Sequence, residues 1–132
     1  MQERSCRLNP PGLNQNYVTA WYAIIFNKGN KMISVIASIK VKSGKVPEFI
    51  SIFKANVPEV RREKGCIEYY PAIDIDSKIP VQHLDGNIVT IIEKWNSLED
   101  LNVHLKAPHM AAYKEKVKNI VESVSLKVLQ EA

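Results

Sequence analysis

From Ile33 to Lys42 the chain reads ISVIASIKVK. Ile33, Val35, Ala37, Ile39 and Val41 fall on one face, with Ser34, Ser38, Lys40 and Lys42 mostly on the other. This period of two predicts a half-buried strand. After a Ser43-Gly44 turn the period changes. Val46, Phe49, Ile50, Phe53, Val57 and Val60 recur three and four apart, the stripe of an amphipathic helix. Pro47 lies in its first turn, where a missing N–H costs little. Pro58 is expected to kink the helix or end its regular part, and Gly65 to stop it. Cys66–Asp74 (CIEYYPAID) predicts a second strand, with Pro71 marking an edge or bulge, and Asp76–Asn87 a loop closed by Asp85-Gly86.

Ile88–Trp95 (IVTIIEKW) predicts a third strand. Ser97-Leu98-Glu99-Asp100 has the spacing of a capping box, with Asp in place of the usual Glu or Gln, so a helix starts at Ser97. Its expected buried stripe is Leu98, Leu101 and Leu105. Pro108 restarts the helix, with Tyr113, Val117 and Ile120 or Val121 facing inward, and Val124–Leu129 closes as a short strand. The order β-α-β-β-α-β packs most simply as an α+β, ferredoxin-like fold: an antiparallel four-stranded sheet with both helices on one face. The other face would expose Ile36, Ile88 or Val89, and several tyrosines. An apolar face of that extent calls for a partner, so a homodimer is expected, with two sheets facing each other.

Composition adds exclusions. The chain has 132 residues, 45% of them hydrophobic and 24% charged, which suits one globular domain. The net charge of +4 is uneven: residues 1–31 hold four basic residues against Glu3, and the remainder fourteen basic against thirteen acidic. A near-neutral body argues against nucleic acid as partner, since phosphate binding needs concentrated positive charge. Lys114, Lys116 and Lys118 read as a solvated helix face. Two unpatterned cysteines, Cys6 and Cys66, suit reduced thiols in a cytoplasmic protein. The longest apolar run, Tyr17–Phe26, has about half the length of a membrane span and lacks the small-residue cleavage site of a secretory signal. Residues 1–31 stand outside the pattern. They read as an N-terminal extension, whose apolar run could pair with a sheet edge, or as a reading frame opened upstream of Met32. Codons for Lys28-Gly29 can spell a purine-rich ribosome-binding site, which favours the second. The patterned domain is 32–132.

The chemistry concentrates in Glu93–Met110, EKWNSLEDLNVHLKAPHM. Glu93 and Trp95 are two apart and share a strand face. His104 is one turn past Leu101, at the border of the stripe. His109 follows Pro108 at a helix start, where the positive end of the dipole favours neutral imidazole. A neutral histidine beside a pocket can accept a proton near neutral pH, and Trp95 offers a flat wall for a planar ring. The residues alone leave open whether the two histidines serve a site or fill a helix junction. They argue against zinc: positions five apart on a helix diverge by about 140°, Glu93 is the one evident third ligand, and no Cys-His pattern accompanies them. The absence of a glycine-rich phosphate loop argues against a nucleotide cofactor, and no nucleophile elbow suggests acyl chemistry.

Taken together, Glu93, Trp95, Ser97, Leu101, His104, Pro108, His109, Met110, Ala112 and Tyr113 resemble the signature of the antibiotic-biosynthesis monooxygenase family of dimeric α+β barrels, most closely its quinol monooxygenase branch. The junction VPEVRREKGC, through Val57, Pro58, Gly65 and Cys66, is similar too, as are the opening strand VIASI and Leu129-Gln130. The likeness spans nearly all of 32–132 and none of 1–31. It implies oxidation of a quinol or similar electron-rich aromatic by molecular oxygen, without metal or flavin cofactor, in a homodimer. It further implies His104 as base, His109 as second acid/base or positioning group, and Trp95 beside the substrate ring. Tyr113 would donate a hydrogen bond, Glu93 would orient a partner, and Met110 would line the substrate site. Haem-degrading relatives carry an asparagine on the first strand, and Ile33–Lys42 has none. His83 matches no motif.

Two rivals share the fold. One is an isomerase of a small phosphorylated hydroxy-ketone, which would recruit Lys40 or Lys94 for the phosphate. The other is a non-catalytic dimeric ligand-binding module. Fold alone does not separate them.

Overall fold

A computed structural model describes residues 31–132, so the readings of residues 1–30 lie outside the described residues. The elements run β1 (Ile33–Val41), α1 (Val46–Arg61), β2 (Cys66–Ile73), β3 (Ile88–Trp95), α2 (Leu98–Leu105), α3 (Pro108–Val117) and β4 (Val121–Leu129). The four strands form one antiparallel sheet in the order β2-β3-β1-β4, the ferredoxin-like α+β arrangement. Among the described residues no helix is long and apolar enough to cross a membrane.

The period of two decides the faces. Ile33, Val35, Ala37, Ile39 and Val41 are buried under the helices, and in β3 so are Val89, Ile91, Glu93 and Trp95. The register sets Val35 opposite Glu93 and Ala37 opposite Ile91. Phe49, Phe53 and Val60 of α1 and Met110, Tyr113 and Val117 of α3 fill the space between the layers. The aromatic centre is continuous: Phe53 stacks on Phe49 and Tyr69 and meets the edge of Tyr113.

Four local expectations are corrected. Val89 is fully buried on the helix side, so the open face carries half-buried Ile36, Ile88 and Ile92 and, of the tyrosines among the described residues, only Tyr70; Tyr69 and Tyr113 belong to the core. In α2 Leu98 and Leu105 are exposed, because this two-turn helix meets the sheet only along Leu101 and His104. Of the two expectations for Pro58, the end is ruled out, since α1 continues through it to Arg61. β4 starts at Val121, three residues early: a bulge at Lys40/Val41 pairs Val41 with Val121, and Lys42 N–H donates to Ile120 O.

Gly65 lies three residues beyond the C-cap of α1, Arg62, and ties two corners together. It sits at φ +83°, its carbonyl accepts from Asn96 N–H at 2.8 Å, and a Cβ there would collide with the Asp100 side chain. Asp100 N–H donates to Ser97 Oγ, so the expected cap forms, while the Asp100 carboxylate lies against Gly65. The α1–β2 turn is thereby held against the start of α2. Gly65→Ala meets both a left-handed backbone and the Asp100 side chain. It is expected to cost about 2 kcal/mol or more, read as a lowered urea midpoint with unaltered slope.

Candidate active site

Between the helices and the sheet lies a cavity of about 300 Å³. Its sheet wall is Glu93, Ile91, Ala37 and Ile39, continued by Leu126 and Val124 of β4; Tyr69, Phe53, His104, Met110 and Tyr113 close it from the side and above. α1 packs on β2 and β3, α2 on β3, and among the described residues no helix packs closely on β4, so the cavity-side residues of β4 stay open: Val124 is 61% exposed and Leu126 48%.

His104 is 1% exposed, the most buried titratable group of the site. Its Nδ1 lies 2.9 Å from Glu63 Oε2. The same oxygen lies 2.9 Å from His109 Nε2. An ionised carboxylate only accepts, so His104 Nδ1–H donates to Glu63, and Nε2 is left as the basic nitrogen. Glu63 meets His104 across 41 residues of chain because the Gly65 junction fixes the turn that carries it. Behind His104 stands Trp95, ring centroids 4.7 Å apart. The Trp95 Nε1–H donates to Glu93 Oε2 at 2.9 Å, with both side chains buried.

Burial pushes the Glu93 carboxyl above its ordinary value of 4.5, helped by nearby Glu63 and opposed by the Trp95 hydrogen bond and by His104. Burial first, then Glu93, also raises the Tyr69 and Tyr113 phenols, so both stay protonated donors. Cys66 is pushed up to about 11 by burial and by Glu63 and Glu93, which keeps it a thiol. For Glu93 the folded value exceeds the unfolded one. Its contribution to stability is complete below pH 4.5 and is lost as pH rises through the folded value. Glu93→Gln keeps an acceptor for Trp95. It is therefore expected to melt above the wild type at neutral pH, the gap closing as pH falls through the carboxylate range, in thermal melts followed by circular dichroism.

The structure brings together His104, Glu93, Tyr113 and Met110 around the cavity. It places Trp95 behind His104, and His109 on the outer side of Glu63, with His109 facing a smaller hollow beside Asn56 and Lys116. Its Nδ1 is buried without a partner among the described residues. His83 is exposed on the β2–β3 loop. Lys40, which the phosphate reading would recruit, pairs with Asp85, and Lys94 points from β3 to the open face. Among the described residues no three His, Cys, Asp or Glu side chains are arranged to hold a metal ion. Sequence reasoning missed Glu63 and Tyr69. Glu63 sits in RREKG, which has the look of a solvated charge run, and Tyr69 reads as an ordinary core aromatic.

Residues 32–116 match the family model described as antibiotic biosynthesis monooxygenase. The chain belongs to that family. Over 101 residues this monooxygenase-family chain is 35% identical to the "Probable quinol monooxygenase YgiN" of Escherichia coli, covering 75% of this chain and 97% of that protein. Its fold is similar to that of protein SO0527 from Shewanella oneidensis, with a TM-score of 0.66 at 25% identity over 77% of this chain and 92% of the other. Rv0793 from Mycobacterium tuberculosis gives 0.64 at 22% identity, over 76% of this chain and 95% of the other. The quinol monooxygenase reading of the segment Glu93–Tyr113 thus meets a relative that carries that name.

Proposed function

We propose that this protein is a cofactor-independent monooxygenase that oxidises a quinol or similar electron-rich aromatic with molecular oxygen. The observation that carries the reading is the buried His104, whose imidazole is paired with the half-buried Glu63 and forms part of the wall of an otherwise largely apolar cavity. His104 Nε2 takes a proton from the ring hydroxyl, and Glu63 stabilises the imidazolium through Nδ1–H. The resulting quinolate is electron-rich enough to pass one electron to dioxygen, and the radical pair joins as a ring hydroperoxide. His104, having returned its proton to the outer peroxide oxygen, takes the ring hydrogen at the same carbon. The O–O bond breaks, the hydroxide released takes that proton from His104 and leaves as water, and a carbonyl forms. One quinol and one dioxygen give one hydroxyquinone and one water. Ile91, Tyr69 and Phe53, all buried, shield the His104 end of the cavity from water and so protect the intermediates.

Tyr113 and Tyr69 keep their protons and serve as donors to the substrate oxygens. Glu93, favoured in its neutral form by burial, orients the ring, and Met110 packs against it. Trp95 acts through His104 and Glu93 and not as a wall of the cavity. His109 is a positioning group that holds Glu63 from outside. A family match that starts at residue 32 supports a domain of 32–132, and the open face with Ile36, Ile92 and Tyr70 supports pairing of two copies through their sheets. The test is oxygen uptake by metal-free protein mixed with a reduced naphthoquinol, against a buffer blank. Protein-dependent uptake that His104→Gln removes is the expected result. Tight binding of the quinone with no uptake would point to a ligand-binding module instead.

A further inference from the structure

The cavity is graded along the strands, and the grading describes a substrate. Its polar groups gather at one end. Glu93 pairs with Val35 on β1 and with Tyr69 on β2, and His104 stands above. One step along, Ile91, Ala37 and Leu126 lie side by side across three strands; a further step reaches Ile39 beside Val124. All five are apolar. At the far end come Val121 and the last turn of α3, which puts Lys114 and Lys118 on the lining. The two lysines are four apart and share a helix face. Lys118 pairs with Glu115 at the surface, and among the described residues no carboxylate pairs with Lys114. From the level of Glu93 to that of Val89 and Ile39 is four residues of strand, about 13 Å.

We infer that the site takes an aromatic with its reactive hydroxyl at the Glu93–His104 end and an anionic substituent at the opposite end of a flat apolar body, met by Lys114 and Lys118. The inference rests on the proposed function for which end reacts. A volume near 300 Å³ is at the lower end for small-molecule sites and suits a body of about two fused rings. The lysine stems extend the apolar wall while the ammonium groups stay wet at the rim. Exposed ion pairs of this kind contribute little each, so the preference is modest and dependent on salt.

The test compares equilibrium binding of three unreactive probes by calorimetry. They are 2-naphthol, 6-hydroxy-2-naphthoate with its carboxylate at the far end, and 1-hydroxy-2-naphthoate with its carboxylate beside the hydroxyl. At low ionic strength 6-hydroxy-2-naphthoate is expected to bind about fivefold tighter than 2-naphthol, and 1-hydroxy-2-naphthoate no tighter than 2-naphthol. In the Lys114→Gln/Lys118→Gln double variant the two end-compared ligands converge to within about twofold. Equal affinities in the wild type, a preference that survives in the double variant, or binding of none of the probes overturns the inference. The readout is independent of oxygen. A preserved preference with no oxygen uptake defeats the oxidation reading alone, and uptake without preference defeats the rim alone.

Discussion

Replacing His104 with glutamine is expected to lower protein-dependent quinol oxidation by about 100-fold or more, the usual contribution of a positioned general base. The loss is expected to fall on kcat, because in the proposed mechanism the imidazole acts on the proton and not on the apolar body of the substrate. Glutamine can still donate to Glu63, so the 2.9 Å contact has a replacement and the fold survives. His104→Ala removes that donor and leaves the Glu63 carboxylate without its inner partner, so it is expected to lose stability as well as activity. Glu63→Gln separates positioning from catalysis. The His104 ring keeps a neighbour but loses the charge that stabilises its imidazolium. The expected loss is about tenfold to 100-fold, of the size seen for partners that orient a functional imidazole, with a changed pH profile. Unaltered rates in His104→Gln would remove the base from the mechanism.

The largest effect on stability is expected at Phe53. It is 2% exposed and touches Phe49, Tyr69 and Tyr113, so it joins α1 to the sheet and to α3 at once. Phe53→Ala removes a ring at the point where three elements meet, next to a cavity that already exists. The expected cost is about 3–5 kcal/mol, the range for buried aromatic truncations, seen in urea denaturation with a reduced midpoint. Phe53→Leu keeps most of the volume and is expected to recover over half of that loss. Because Phe53 also lines the cavity, the leucine variant is expected to bind quinone more weakly even where it folds well. A cost below about 1 kcal/mol for Phe53→Ala would mean that the aromatic centre contributes little beyond filling space.

Much of this was legible before any coordinates. The change of period from two to between three and four located β1, α1 and β3 almost to the residue, because each is long, amphipathic and bounded by Gly, Pro or a cap. The stripe of α2 is not legible in the sequence, because an eight-residue helix shows too few turns to reveal which side meets the sheet. Leucine is apolar wherever it sits, and here it was the polar His104 that went inward. The candidate site was half visible. Glu93, His104, Met110 and Tyr113 come from one stretch of sequence and converge on the cavity. Glu63 could not be read, since its link to His104 spans 41 residues and depends on the Gly65–Asn96 contact. For Trp95 strand periodicity gives the face but not the depth; it is fully buried behind the imidazole.

The most direct measurement of the central claim is the fate of the oxygen atoms. Metal-free protein turning over a naphthoquinol under isotopically labelled dioxygen is expected to give a hydroxynaphthoquinone carrying one labelled atom, with the second in water, at one dioxygen consumed per quinol. Unlabelled quinone formed with an equal amount of hydrogen peroxide, or labelled product formed equally fast by His104→Gln, would contradict it.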